Sequence, residues 1–506
     1  MKRKAITLLA IVFVLSLFAA CRPGTPAQPG TVADQDIART FTLMRAGADD
    51  DTCPSNWAWL QEMQEYVNVF MEFINVPSAA WVERKNLTFA TGDFPDIMMD
   101  ENILDTDILR NLDVLVRLCA YFDDYAPHIT YAMYRFPELR QVKTAPDGYI
   151  YGFGQMRQLV NTPQMVMMNQ VWLDELGLDI PTTTDELLMT LRAFRDSAPG
   201  RIPLTFMPNG SPQGWAPLFG PFGIIAYSSP RTPLSHFVNV ENQQVVFVPM
   251  DERFKEAVQF LHLLFSEGLI DPEVFTHDWN QYFAKISPEV DLVGMYIFWS
   301  RGDNADRFTD IMPVMGPRGY QLHPRNNAAT FRRNLAIVFN TAEEPQHIVR
   351  WFDALHIEDF AIQSYYGPYG ITLQKNPDGT RTYIPEGGGA TWGVCFADAS
   401  PTAILPEWHA TIVLSDDLAD KSRNNAMLQP FTPDEIFPNV MYTLEELEQL
   451  SILVADIHSY VERTLVRWVT SGGIEDEWEA HLVQLQRMNV DQLIQIYQDA
   501  LDRYLR

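Results

Sequence analysis

The sequence predicts an α/β fold of mostly parallel sheets with helices outside. After the N-terminal segment, apolar residues alternate between strand-like and helix-like spacing in a βαβα rhythm. The chain is 47% hydrophobic and 20% charged, a globular balance, and its 506 residues are enough for two or more cores. From Leu444 onward it reads mostly as helix.

In order, Phe41 to Arg45 reads as a buried strand, followed by a loop over 46–55 carrying Asp49, Asp50 and Asp51. Asn56 is expected to cap a helix bearing Trp57, Leu60 and Met63 on one face. Val67 to Ile74 is a second strand, Lys85 to Ala90 a short helix, and Asp96 to Met99 a short strand. Pro146-Asp147-Gly148 is a turn between strands, and Met165 to Met168 another buried strand. Trp172 to Leu176 is a helix stopped by Gly177 in the left-handed region. Thr183 and Glu186 have capping-box spacing, Glu186 returning to the amide of Thr183, and launch Leu187, Leu188, Leu191 and Phe194 at helical spacing. Phe254, Val258, Leu261 and Phe265 form another helical face, ended by Gly268. Val293 to Phe298 and Leu335 to Phe339 are strands, Gly316 to Gly319 is a turn, and Glu343 to Leu355 is a helix.

The N-terminus carries its own signal. Lys2, Arg3 and Lys4 precede an uncharged run, Ala5 to Ala20, that is shorter than the ~20 residues of a spanning helix. Ala19-Ala20-Cys21 then resembles a lipobox, in which Cys21 takes the lipid; simple secretion with cleavage nearby is the other reading. Residues 1–20 are thus a signal peptide and 21–37 a Pro/Gly-rich tether. The expected location is extracytoplasmic, lipid-anchored at the cell membrane. Besides Cys21 there are Cys53, Cys119 and Cys395, whose pairing is open, and no zinc-like spacing. A net charge of −28 argues against nucleic acid and anionic lipid headgroups. The histidines are scattered, so no metal or cofactor is expected.

Thr91-Gly-Asp-Phe-Pro-Asp96, Ala145 to Tyr151, Trp172 to Leu178 and Pro181 to Leu187 occur in this order. Glu267-Gly-Leu-Ile-Asp-Pro272, Gly316-Pro-Arg-Gly319 and Tyr497 to Tyr504 follow. Together they resemble the family 1 extracellular solute-binding proteins of bacterial ABC importers, in the oligosaccharide-type lipoprotein branch. The resemblance implies a two-lobed, periplasmic-binding-protein-like (type II) α/β fold, its lobes joined by hinge strands around a ligand cleft. It divides the chain into 38–162 plus 315–366 and 163–314 plus 367–506. It further implies a monomer that binds a carbohydrate, passes it to the transmembrane subunits of a permease and performs no chemistry. Many relatives carry a calcium loop after the helix beginning near Thr183. Arg195 to Gly200 lacks the alternating oxygen ligands, so none is expected here. A secreted glycoside hydrolase or lyase, with Asp100 and Glu101 as acid and base, and a sensor that presents ligand to a histidine kinase are the competing readings.

Sugars offer apolar C–H faces to aromatic rings and hydroxyls to polar side chains. Asp49 and Asp50 follow the first strand, as ligand contacts or a solvated turn. Asp100, Glu101 and Asn102 follow the third strand, where the resemblance places sugar contacts and helix capping is the alternative. Trp299 ends a strand where relatives carry a stacking tryptophan, and Arg301 follows it. Trp215 and Trp392 sit in loops, as core anchors or binding surfaces. Arg157 is expected either to meet ligand or to pair with a neighbouring acid. The negative charge disfavours polyanionic ligands, although Arg157 and Arg301 could reverse that locally.

Overall fold

Period-two burial at Phe41 and Leu43 makes Arg39–Ala46 a strand with one core face and Met44 against the other. The computed structural model describes residues 37–47, 52–157, 164–208, 214–225, 237–287, 289–324, 330–384, 393–414 and 416–506. Its strands begin, in chain order, with β1 Arg39–Ala46, β2 Val69–Val76, β3 Ile97–Met99, β4 Gly152–Met156, β5 Met165–Asn169 and β6 Ile202–Thr205. They continue with β7 Val238–Glu241, β8 Gln244–Phe247, β9 Val293–Phe298, β10 Phe308–Ile311 and β11 Phe331–Val338. Two compact units draw on Met1–Gln158, Thr330–Val413 and Val440–Leu444, and on Leu159–Ala329, Leu414–Asn439 and Glu445–Arg506.

The first unit holds the sheet β2-β1-β3-β11-β4. β1 runs parallel to β2 and β3, while β11 is antiparallel to both β3 and β4. Helices Ala58–Val67 and Pro345–Ala354 cover one face, where Phe153 stacks on Phe352 with ring centroids 4.0 Å apart. Trp81 packs on the other face, at the start of helix Trp81–Thr91, which Gly92 ends at φ 73°. Asn56 does not cap the helix after it. It belongs to a 3₁₀ turn, and Trp57 takes the cap position without a side-chain cap bond. The Trp57 indole is held instead by the Gly393 carbonyl at 3.0 Å.

The second unit holds the sheet β10-β5-β9-β6 and the hairpin β7-β8. Asn169 caps Gln170–Leu176 and Gly177 ends it at φ 64°, as its left-handed position requires. Thr183 caps Thr184–Ser197, but the Glu186 carboxylate turns to Thr182, accepting from its amide and hydroxyl at 2.7 Å. The C-terminal part is three helices, Leu444–Ser471, Ile474–Arg487 and Val490–Leu505. Among the described residues no helix is long and apolar enough to cross a membrane.

The unit boundaries differ from the division expected from sequence, because local packing captures several segments, among them Val440–Leu444, whose Val440 carbonyl accepts from Arg333 in the first unit at 2.8 Å. The described part of 315–329 packs in the second unit: Met315 bridges Thr183, and a Cβ on Gly316 would lie 1.7 Å from the Pro221 carbonyl oxygen. Residues 367–384 and 393–413 belong to the first unit, where Ala403 pairs beside Met156 of β4. Gly316→Ala is therefore expected to lower the unfolding free energy measured in urea by about 1–3 kcal/mol, because a backbone oxygen cannot swing aside as a side chain can.

Cys53 and Cys395 are buried and unbridged, and burial pushes the Cys395 thiol up to about 12. Burial pushes the His323 and His356 imidazoles down, to about 4 and about 3. Unfolded histidine takes its proton near pH 6.5, so between pH 6.5 and about 4 the unfolded chain binds protons that the folded chain does not. Stability is expected to fall as pH is lowered through that window, by up to about 1.4 kcal/mol per pH unit for each histidine. Urea midpoints between pH 7 and 4 check this, and His356→Leu should flatten the slope.

Candidate functional site

β4 runs with β1 and β3, so one edge of the first sheet collects the ends of three strands and the start of the returning β11. In open α/β sheets this carboxyl-end edge is where ligands are met. Arg45 lies at the end of β1, its guanidinium 3.2 Å from the Asn75 side-chain oxygen; burial lowers its pKa, against the pull of Cys53 and Asp100. After β3, Asp100 is buried, and its carboxylate accepts from the Asn102 amide at 2.8 Å and side chain at 2.9 Å. Burial nevertheless raises the Asp100 pKa.

Arg157 follows β4 and is buried, pairing with the Asp398 carboxylate and lying 3.3 Å from the Tyr365 hydroxyl. Arg332, near the start of β11, reaches Glu101 at 3.0 Å and the Asp398 carbonyl at 2.5 Å. The two arginines thereby join Glu101, Asp398 and Tyr365 into one network. Gly154 makes the close approach possible, since a Cβ there would meet the Arg332 carbonyl oxygen at 2.1 Å. Asp398 is brought to the edge by aromatic anchoring: Trp57 and Trp59 donate to the Gly393 and Val394 carbonyls at 3.0 and 2.9 Å, and Phe396 packs against both rings. Gln155 then donates to the Ser400 carbonyl at 2.8 Å.

In the second unit, Trp299 directly follows β9 and is 41% exposed. The Lys421 ammonium lies 4.7 Å over its ring centroid. Arg301 sits between Asp420 and Asp310, with its Nε 3.0 and 3.1 Å from their carboxylates, and donates to the Phe308 carbonyl at 3.2 Å. Burial pushes the Asp310 carboxyl up to about 6, against the stabilising pull of Arg301. Beside the end of β9, Trp279 stacks on the half-open Phe283 at 5.6 Å, and Phe283 packs edge-on to Phe298 at 5.3 Å.

The expected residues therefore fall into separate groups. Asp100, Glu101, Asn102 and Arg157 share the first edge; Trp299 and Arg301 lie together in the second unit. Trp215 is buried among Phe206, Phe219 and Phe275, which makes it a core anchor where the loop had left a binding surface open. Asp49, Asp50, Trp392 and Cys21 lie outside the described residues. Sequence reasoning missed Arg332, Asp398 and Tyr365, which nothing local marks. It also missed the Trp279 and Phe283 ledge, although the capping box of Asp278 and Gln281 places that helix start. Among the described residues no group of three or more His, Cys, Asp or Glu could hold a metal ion. At the helix end near Arg195, its guanidinium pairs with Asp196 at 2.7 Å and donates to the Glu267 carbonyl at 3.0 Å.

No family model matches the chain. FusA, a fructooligosaccharide ABC transporter substrate-binding protein of Streptococcus pneumoniae, is 26% identical over 543 aligned residues, covering 100% of this chain and 99% of FusA. Lipoprotein LipO of Bacillus subtilis is 21% identical over 400 residues, 75% of each chain. The structure of FusA in complex with kestose is 25% identical, covers 92% of this chain and 99% of FusA, and superposes with a TM-score of 0.75. An HMO-binding, ABC-transporter-associated solute-binding protein from Bifidobacterium longum infantis has the same fold, with a TM-score of 0.81 at 20% identity, over 93% of this chain and 99% of its own.

Proposed function

We propose that this chain, a homologue of ABC-transporter substrate-binding proteins along its whole length, captures an oligosaccharide and delivers it unaltered to a membrane permease. The observation that carries this is the full-length match to FusA, since a shared domain alone would not span both units. The site chemistry supports it. The first edge supplies carboxylates for hydroxyl donors, and the second unit supplies a half-open tryptophan for a sugar face.

The protein works outside the cytoplasm as a monomer, held to the membrane by lipid on Cys21. Its partners are the sugar and the permease subunits, and it carries out no turnover. Labelled palmitate incorporated into the wild type but not into Cys21→Ala tests the anchor.

A thermal-shift screen of mono- and oligosaccharides, followed by titration calorimetry, tests the capture. A true ligand at about 100 times its Kd adds about 2.7 kcal/mol of stability. Chromatography of the sugar after overnight incubation should return it intact. A cleaved product would make the protein an enzyme, and no response to any sugar would end the carbohydrate assignment.

A further inference from the structure

Helix Asp416–Leu428 lies against the Trp299 group of the second unit, and its hold there is polar. Asp420, Lys421 and Asn424 stand at positions i, i+1 and i+4, on one side of the helix. Asp420 accepts from the Arg301 Nε at 3.0 Å, and the Lys421 ammonium lies 4.7 Å over the centre of the Trp299 ring. The Asn424 side-chain amide donates to the Asp310 carboxylate in β10. Of residues 419–428 only Asn424 and Leu428 are buried. The helix therefore adds little apolar surface to the unit, and an element held in this way opens at low cost. Its C-terminal end is the anchored one: Leu428 is in the core, and the Phe431 carbonyl just beyond accepts from the His323 amide at 2.9 Å.

Arg301 has a second arrangement within reach. Its guanidinium is shared, with Nε 3.0 Å from Asp420 and 3.1 Å from Asp310, and Nη2 on Asp420. All of these bonds to Asp310, and that from Asn424, go to Oδ2. The other oxygen, Oδ1, is buried and meets no donor among the described residues. Without Asp420, Nε and Nη2 can fork onto both Asp310 oxygens, the pairing that guanidinium and carboxylate favour. The fork satisfies Oδ1, which offsets much of the loss of Asp420. One guanidinium thus has two discrete settings, one with the helix held and one with it released.

We infer that helix Asp416–Leu428 is a strap that competes with ligand for the Trp299 face. Held, it keeps Lys421 on the ring; released, it leaves the ring to a sugar and Arg301 to Asp310. This rests on the carbohydrate-binding reading above. A sugar stacking on the side that Lys421 covers must lift that side chain, and Asp420 and Asn424 ride on the same side of the same helix. Ligand affinity is then lowered by the fraction of molecules in which the strap is released being small.

Hydrogen–deuterium exchange of the purified full-length protein, read by peptide, tests this together with titration calorimetry against kestose, maltotriose and xylotriose. Without sugar, Asp420→Asn and Asn424→Ala should each speed exchange over 416–428 about tenfold, while 444–505 exchange as in the wild type. Each variant should also tighten whichever sugar binds by about three- to tenfold. In the wild type, the bound sugar should speed exchange over 416–428. A sugar that binds and leaves that exchange unchanged or slower overturns the competition, with carbohydrate capture standing. Exchange over 416–428 unchanged in both variants overturns the hold assigned to Asp420 and Asn424. Binding of none of the sugars removes the carbohydrate reading and the competition together, and the sugar-free exchange still decides whether these contacts hold the helix. If Asn424→Ala does not fold, Asp420→Asn decides the same point, since that side chain is 19% exposed.

Discussion

Trp299→Ala is expected to weaken carbohydrate binding at least about 30-fold in titration calorimetry, with little change in the unfolding midpoint. The two effects separate because the ring is 41% exposed and contributes little to the core. Its contact with Lys421 contributes about 0.5–1 kcal/mol at such a site. An aromatic anchor that a ligand covers and dries is worth more, about 2 kcal/mol, which is the 30-fold loss. Lys421→Ala should act in the opposite direction. Removing the ammonium spares the ligand the work of displacing it, and affinity should rise about two- to fivefold. Unchanged affinity in Trp299→Ala would move the stacking site elsewhere, with the Trp279 and Phe283 ledge as the next residues to replace.

The second large effect is on stability. Arg157→Met should cost about 3 kcal/mol in urea unfolding, because it leaves Asp398 without its guanidinium and the Tyr365 hydroxyl without a partner. The figure stands at the lower end for a broken buried pair, since Asp398 keeps 30% exposure and water can take up part of its charge. Arg157→Lys should recover only part of the loss, because an ammonium cannot span carboxylate and hydroxyl with the planar fork of arginine. A stability change below about 0.5 kcal/mol would mean that the pair is solvated like a surface salt bridge.

These residues also mark where local reading succeeds and fails. Trp299 was legible as an exposed residue beyond a strand end, because a tryptophan followed by Ser300 and Arg301 cannot continue a core strand. Asp100 to Asn102 were legible because they follow a short apolar strand. Gly92, Gly177 and the Thr183 cap were legible because helix ends need residues that tolerate a left-handed turn or supply an oxygen. Arg157 was singled out with both of its alternatives open, and the choice fell to Asp398, which lies 241 positions away. Trp215 had the same ambiguity, resolved by phenylalanines from three other segments.

Apolar spacing and turn chemistry were enough to predict an α/β chain, since each depends on neighbours within a few residues; the solute-binding expectation came from the resemblance carried by the ordered segments between Thr91 and Tyr504. Which charges meet at the strand-end edge, and which segments belong to which unit, was decided only on folding. The antiparallel return of β11 carries Arg332 to the edge, and the anchoring of Trp57 and Trp59 to Gly393 and Val394 brings in Asp398. Pairing across hundreds of residues obeys distance and burial in space, and spacing along the chain holds no record of either.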